Sequence, residues 1–307
     1  MLHALGQIAR YGRFVLVGGL VAGLLLPDLA QALRPWLSEL VLGLLFLTAL
    51  RVGLPAALEG LGGQTRQTLR IVLSYQLGLP LICLALFAAL GQAHSPYAIA
   101  LTLMLAAPSV TANPNMAVLL GHSPEPAFRL LILGTLILPL TLIPIFWLSP
   151  ALGTLSDAIA AALSFGLSIC AVISLAFFLR AKRRPAMTQR EISAVDGITS
   201  IALAVIVVGL MSAVSPALKS DPWSFGKWIL LAMSANLGLQ TIAFLVLRQF
   251  GDPRTAAPMA MVAGNRNVAL FLVASTATQS DTFLLFLGAY QFPMYLTPIL
   301  MRRLMGR

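Results

Sequence analysis

The chain has 307 residues, 59% of them apolar and only 10% charged, and its formal net charge is +10. A soluble domain carries about 45–50% apolar and about 25% charged residues, so a water-facing surface for this chain would be one continuous aggregation patch. No Asp, Glu, Lys or Arg occurs between Arg70 and Glu125, between Leu130 and Ser156, or between Gly197 and Leu218. Apolar segments of about 18 or more residues are read as membrane helices, because about 20 residues at a 1.5 Å rise cross the hydrocarbon core. The composition therefore predicts an all-α polytopic protein of the lipid bilayer. Cys83 and Cys170 both lie inside apolar runs, which leaves no disulfide framework or paired metal motif to argue. Arg10 and Arg13 precede an apolar run as in a signal peptide, but no small-residue cleavage site follows. That run is read as a retained first span.

Ten spans are predicted in chain order: Phe14–Leu33, Trp36–Leu54, Arg70–Leu90, Tyr97–Gly121, Ala127–Leu148, Leu155–Leu179, Asp196–Ser215, Trp223–Leu247, Ala256–Thr278 and Thr282–Met301. Pro or Gly punctuates several connections, as at Arg34-Pro35, Ser95-Pro96, Ser149-Pro150, Asp221-Pro222 and Asp252-Pro253. With the N-terminus inside, sixteen of the twenty basic residues fall on the inner side. Only Arg34, Lys219 and Lys227 fall outside, and Arg266 belongs to neither group. The positive-inside rule then places both termini in the cytoplasm of a plasma (inner) membrane, multi-pass protein. The same distribution accounts for the net charge without a nucleic-acid partner.

A short internal match organises these spans. Asn113-Pro114-Asn115-Met116-Ala117-Val118-Leu119-Leu120 aligns with Asn265-Arg266-Asn267-Val268-Ala269-Leu270-Phe271-Leu272 at an offset of 152. The copies lie in spans 4 and 9, five spans apart, so equivalent helices run in opposite directions. That predicts two inverted five-helix repeats, residues 1–150 and 151–307, a common plan of secondary transporters. Both copies read as broken helices. Pro108 and Pro114 interrupt span 4, and Asn113 followed by Pro114 is a helix-start signal. Pro258 and Gly264 weaken span 9, where Asn265 is placed to cap a second half. Irregular backbone at membrane depth is tolerated only where protein or a water-filled cavity satisfies it, and paired breaks in corresponding spans point to a transport site.

Arg266 is the one charged residue predicted deep inside a span, a functional position by default. Two roles are open to it: an anion site beside a helix N-terminus, or a structural cation that satisfies unwound carbonyls. Ser109, Thr111, Asn113, Asn115, Asn265 and Asn267 complete the predicted substrate site. Thr111, Asn115, Asn267, Thr135 and Gln76 are the candidate ion-binding oxygens. Ser74 and Asn236 are weaker candidates, and His122 is predicted to end span 4 at the cytoplasmic interface.

With these residues placed, the whole chain resembles the bile acid/sodium symporter family, within the wider group of bile acid, arsenite and auxin carriers. Pro108-Ser109-Val110-Thr111-Ala112 followed by Asn113 is similar to the family's Pro-Gly-Gly-Thr-Ala-Ser-Asn segment. Gly264-x-x-Asn267 is similar to its span-9 Gly-x-Gln-Asn motif, and Pro139 with Pro144 to its paired span-5 prolines. The resemblance implies discontinuous, crossing helices 4 and 9, a panel of helices 1, 2, 6 and 7, and a core of helices 3–5 and 8–10. It also implies a small organic anion as substrate. In the symporters a Glu ahead of the span-9 Gly bridges two sodium ions, and a Gln two residues after that Gly contributes. Here Val262 and Arg266 stand at those places, and a fixed guanidinium repels a nearby sodium ion. The expectation is a divergent member in which Arg266 supplies permanently the charge that sodium supplies in relatives, with no cofactor and Na+ coupling doubtful. A sodium-coupled symporter with altered ion sites and a non-transporting membrane sensor are the alternatives. An intramembrane enzyme is not expected, because the chain has no His-Glu-x-x-His motif, buried Asp pair or Asp-rich pair of motifs. The oligomeric state is left open.

Overall fold

The structure is a computed structural model that describes residues 2–55, 65–149, 155–183, 187–273 and 280–306. Among them the regular elements are all helical. In chain order they are α1 (Leu2–Arg10), α2 (Gly12–Leu25), α3 (Pro27–Leu33), α4 (Leu37–Val52), α5 (Thr65–Leu73), α6 (Leu79–Ala89), α7 (Pro96–Ala106) and α8 (Asn113–Leu119). Then follow α9 (Glu125–Leu148), α10 (Leu155–Arg183), α11 (Gln189–Leu210), α12 (Val214–Ser220), α13 (Pro222–Phe250), α14 (Pro253–Gly264), α15 (Asp281–Leu300) and α16 (Arg302–Met305). A π segment, Ser74–Gly78, joins α5 to α6, and 3-10 turns cover Arg34–Trp36 and Val268–Val273.

Among the described residues, seven helical stretches are long and apolar enough to cross a membrane: Pro27–Val52, Thr65–Ala89, Glu125–Leu148, Ile159–Lys182, Gln189–Ser220, Pro222–Phe250 and Asp281–Leu300. An eighth is added if Ala4–Arg10 and Phe14–Leu25, bent by 82°, cross together. The protein is thus an all-α polytopic membrane protein. The predicted fourth and ninth spans are absent from this set because the described pieces of each are too short to cross alone. Residues 274–278 of the predicted ninth span lie outside the described residues.

Several predicted boundaries move, each for a local reason. The expected span Phe14–Leu33 breaks at Leu26, which is non-helical at φ −117°, ψ 70°. Pro27 disfavours helix at the residue before it and starts the next helix at its first position. The expected span from Asp196 starts instead at Gln189. Thr188 accepts a hydrogen bond from the Glu191 backbone N–H while Glu191 accepts one from the Thr188 backbone N–H, a reciprocal capping box. Helix α1 was not expected. It lies against α11 so closely that a Cβ on Gly197 would collide with the Leu5 carbonyl.

Two compact units divide the chain. The first comprises Met1–Ala57, Phe165–Gly226 and Leu272–Gly288. Within it the Arg51 guanidinium pairs with Asp196, and Arg180 donates to the Leu50 and Arg51 carbonyls that end α4. Arg34 meets Asp281 at 2.5 Å, and Ser38 Oγ donates to the Leu272 carbonyl at 2.7 Å. The second unit comprises Leu58–Ser164, Lys227–Phe271 and Ala289–Arg307. Its core includes a cluster in which Met116, Leu120, Phe244, Ala256, Met261 and Met305 pack together. A second cluster there joins Val72 and Tyr75 to Leu130, Met259, Val262 and Ala263.

A second internal match runs through α9 and α15, at an offset of 154. Leu130, Leu131, Leu133, Gly134, Pro139, Leu142, Pro144 and Ile145 recur as Leu284, Leu285, Leu287, Gly288, Pro293, Leu296, Pro298 and Ile299. Both copies carry two prolines inside an apolar helix, five residues apart. In a helix interior each proline removes one intrahelical hydrogen bond, so the pairs mark corresponding interruptions of the two ladders.

Candidate functional site

The second unit contains a place where two interrupted helices meet. Helix α7 is started by Ser95, whose side chain accepts from the Ala98 N–H, with Pro96 in the first turn. It ends because Pro108 pushes Ala107 into extended backbone at ψ 149°. Helix α14 starts in the same manner, at Asp252 and Pro253, and ends at Asn265 in extended backbone at ψ 91°. The extended residues that follow pair as an antiparallel bridge between Ser109 and Arg266. Val110 N–H donates to the Asn265 carbonyl at 3.2 Å, and Asn267 N–H to the Pro108 carbonyl at 2.8 Å. Each broken helix thereby satisfies backbone groups that its own ladder has released, as the membrane interior requires.

Side chains complete the accounting. Asn113 Nδ2 donates to Ser109 Oγ and to the Asn265 carbonyl, both at 2.9 Å. The two residues aligned by the 152-residue repeat therefore touch. Asn265 does not cap a following helix. Its Oδ1 accepts from Asn236 Nδ2 at 3.0 Å, Thr297 Oγ1 at 3.1 Å and Gln240 Nε2 at 3.4 Å. Its Nδ2 reaches Met116 Sδ at 3.4 Å. Asn236 Nδ2 also donates to the Gly264 carbonyl at 2.8 Å, which accepts the Tyr290 hydroxyl as well. Gly264 must be glycine, since a Cβ there would run into the Asn236 carbonyl and lie 2.7 Å from Gln240 Cγ.

Arg266 is only 1% exposed. Its backbone N–H donates to the Tyr290 hydroxyl at 2.7 Å. The side chain folds back so that Nε donates to the Ala263 carbonyl and Nη1 to the Ala107 carbonyl, both at 3.0 Å. Its face lies over the Tyr75 ring, with Cζ 5.0 Å from the centroid, within cation–π range. No carboxylate forms an ion pair with it among the described residues, where Asp281, Asp196 and Glu125 pair with other arginines. Ala107 and Ala263 lie at the C-terminal ends of α7 and α14. Each helix C-terminus carries a partial charge of about −0.5, so two of them together approach the single positive charge of the guanidinium. Nη2 is buried and has no hydrogen-bond partner among the described residues.

The predicted residues divide into two groups. Ser109, Asn113, Asn265 and Arg266 are buried and committed to the crossing. Thr111 and Asn267 are half-buried and Asn115 is exposed, and their side chains are not drawn into this network. Pro108 and Gly264 stand where the helices end. Pro114 falls in the first turn of α8. Asn113 is the first residue of that helix and its side chain makes no cap bond. Gln76, on the π segment, donates to the Gly134 carbonyl at 3.2 Å while its Oε1 is buried without a hydrogen-bond partner among the described residues. Thr135 bonds back to the Leu131 carbonyl at 2.8 Å. Ser74 does the same to Arg70 and is exposed. His122 Nε2 lies 2.5 Å from the Met305 carbonyl, which ties the end of α8 to α16. Tyr75, Tyr290, Gln240 and Thr297 were not anticipated. A polar side chain inside an apolar helix was the available signal.

A scan against protein-family models found no match, and a search of curated proteins found none either.

Proposed function

We propose that this chain is a secondary transporter of a small organic anion, working by alternating access without the usual two-sodium coupling. The observation that carries the reading is the guanidinium of Arg266, held by carbonyls at the ends of two half-helices. Converging helix C-termini attract a cation, and here the cation belongs to the chain. Arg266 is thus a built-in replacement for a bound ion. Ligand contacts then fall to the uncommitted Nη2 and to Thr111, Asn115 and Asn267.

The proposed architecture has ten spans as two inverted five-helix repeats, with the broken pairs α7/α8 and α14/Val268–Val273 serving as crossing helices 4 and 9. The repeats at offsets of 152 and 154 support it. The two compact units support a division into a panel of helices 1, 2, 6 and 7 and a core of helices 3–5 and 8–10. The proposed location is the inner membrane with both termini cytoplasmic, on the strength of sixteen inner against three outer basic residues.

The test is thermal stability of the purified protein across a panel of organic anions, each in sodium and in potassium buffer. A ligand that binds the native state raises its stability by mass action. Equal stabilisation in both buffers is expected. Stabilisation only in sodium would replace this reading by a sodium-coupled symporter with altered sites. Stabilisation without flux in liposomes would make the chain a sensor.

A further inference from the structure

A carrier that rocks one bundle against another must part some contacts on whichever face is opening. The first unit holds a cluster of that kind. It gathers the helices of the proposed panel, yet it also includes Leu272–Gly288, which the ten-span order gives to helices 9 and 10 of the core. The links between spans 1 and 2 and between spans 9 and 10 meet there. Both are odd-numbered, so the proposed topology puts them together on the outer face. Arg34, in the 3-10 turn ahead of α4, pairs with Asp281, the first residue of α15, at 2.5 Å. One turn on, Ser38 Oγ donates to the Leu272 carbonyl at 2.7 Å. Leu272 lies in the 3-10 turn that follows Asn267. The start of α4 thus holds both the turn after the crossing and the start of α15. Further along, α15 presses on the start of α12, where a Cβ on Gly288 would lie 2.2 Å from Val214 Cγ2. The break between α11 and α12 is tied to helix 1 by Gln31 Nε2, which donates to the Ser212 carbonyl at 2.9 Å. Gly134, the counterpart of Gly288 in the first repeat, has a different neighbour. A Cβ there would lie closest to Gln76 Oε1, at 3.1 Å, within the second unit. Equivalent residues in unequal surroundings are what one state of an inverted-repeat carrier presents, because rocking trades one repeat's contacts for the other's.

We infer that Arg34 and Asp281 form the latch of an outer gate, which is shut in this structure. This rests on the carrier reading above. The two side chains are 32% and 77% exposed, so the pair is weak and is screened by salt. A latch needs that weakness, since every turnover has to undo it. Ser38 is the second contact to part, and water can replace the Leu272 carbonyl as partner of its hydroxyl.

The experiment reads opening as thiol accessibility of the full chain in nanodiscs, where both faces meet the reagent. Cys83 and Cys170 are first replaced by alanine, and S212C is the reporter. Ser212 is 1% exposed, and its hydroxyl has no hydrogen-bond partner among the described residues, so exchanging oxygen for sulfur costs no bond there. Modification by a charged methanethiosulfonate is expected to become about twofold to fivefold faster with D281N, the range open to an exposed ion pair. The swap R34D/D281R is expected to slow it again, and added salt to speed it only where the pair is intact. L272C, at a position 2% exposed, is a second reporter of the same opening. Equal rates in D281N and its parent at both reporters, or a swap as fast as D281N, would overturn the latch. Uptake of radiolabelled taurocholate or p-aminohippurate by proteoliposomes of the same proteins would then leave the carrier reading standing. Absence of flux for both anions, from protein with a cooperative thermal transition, would overturn the carrier reading and the gate with it.

Discussion

The two copies of the Asn-x-Asn motif begin alike and end differently. In the first, Pro114 occupies the middle position, and α8 starts at once from Asn113. A proline in the first turn loses no intrahelical bond and arrives with helical φ. In the second, Arg266 occupies that position, stays extended and pairs with Ser109. Only a 3-10 turn, Val268–Val273, follows it among the described residues. The side chain of Arg266 then turns back to the two helices that precede the breaks. The comparison teaches that one position of a repeated motif decides the local backbone: proline restarts a helix, where arginine stays extended and carries a charge.

The sharpest way to break this comparison is R266A. It leaves the Ala107 and Ala263 carbonyls and two helix C-termini without their cation, and about 3–5 kcal/mol of stability is expected to go, as when one member of a buried charged interaction is removed. A large fall in the thermal midpoint in detergent is the readout, and an unchanged midpoint would show that the guanidinium is not structural. G264A comes next. Its methyl group meets the Asn236 backbone, which cannot yield as a flexible side chain can, and a loss of about 1–3 kcal/mol is expected in the same assay.

The equivalent asparagines offer a finer comparison. Asn265 engages Asn236, Gln240, Thr297 and Met116 through its side chain, whereas Asn113 engages Ser109 and one carbonyl. N265A is expected to cost more than N113A, about 2–3 against about 1–2 kcal/mol. Equal losses would mean that the extra partners of Asn265 contribute nothing. P114A is expected to be the mildest change, within about 0.5 kcal/mol, because the first turn has no bond there to lose. A loss as large as that of R266A would erase the distinction between the copies.

Much of this was legible in the chain. Pro108, Pro114 and Gly264 mark breaks because proline and glycine act locally, within a residue or two. Arg266 stands out because charge in an apolar run is costly wherever the helix packs. The partners were less legible. Tyr75, Tyr290, Gln240 and Thr297 reach the crossing from three other segments, and which face each segment turns inward depends on packing. The same cause misplaced Asn265, read as a cap for a following helix: its Oδ1 instead accepts from three side chains on α13 and α15. The 154-residue repeat lies in plain sequence, but leucine identities carry little weight in apolar helices. Gly134, Pro139 and Pro144, with their counterparts Gly288, Pro293 and Pro298, are what make it specific.

The most direct test of Arg266 as a built-in cation is the thermal midpoint of R266A in millimolar guanidinium, compared with equal concentrations of sodium, potassium and choline. Guanidinium has the shape and donors to re-bridge the Ala107 and Ala263 carbonyls. The expected result is a rise in the midpoint of R266A in guanidinium that the wild type does not show, with choline inert. A midpoint of R266A equal to the wild type's, or one that guanidinium lowers in both proteins alike, would contradict the account.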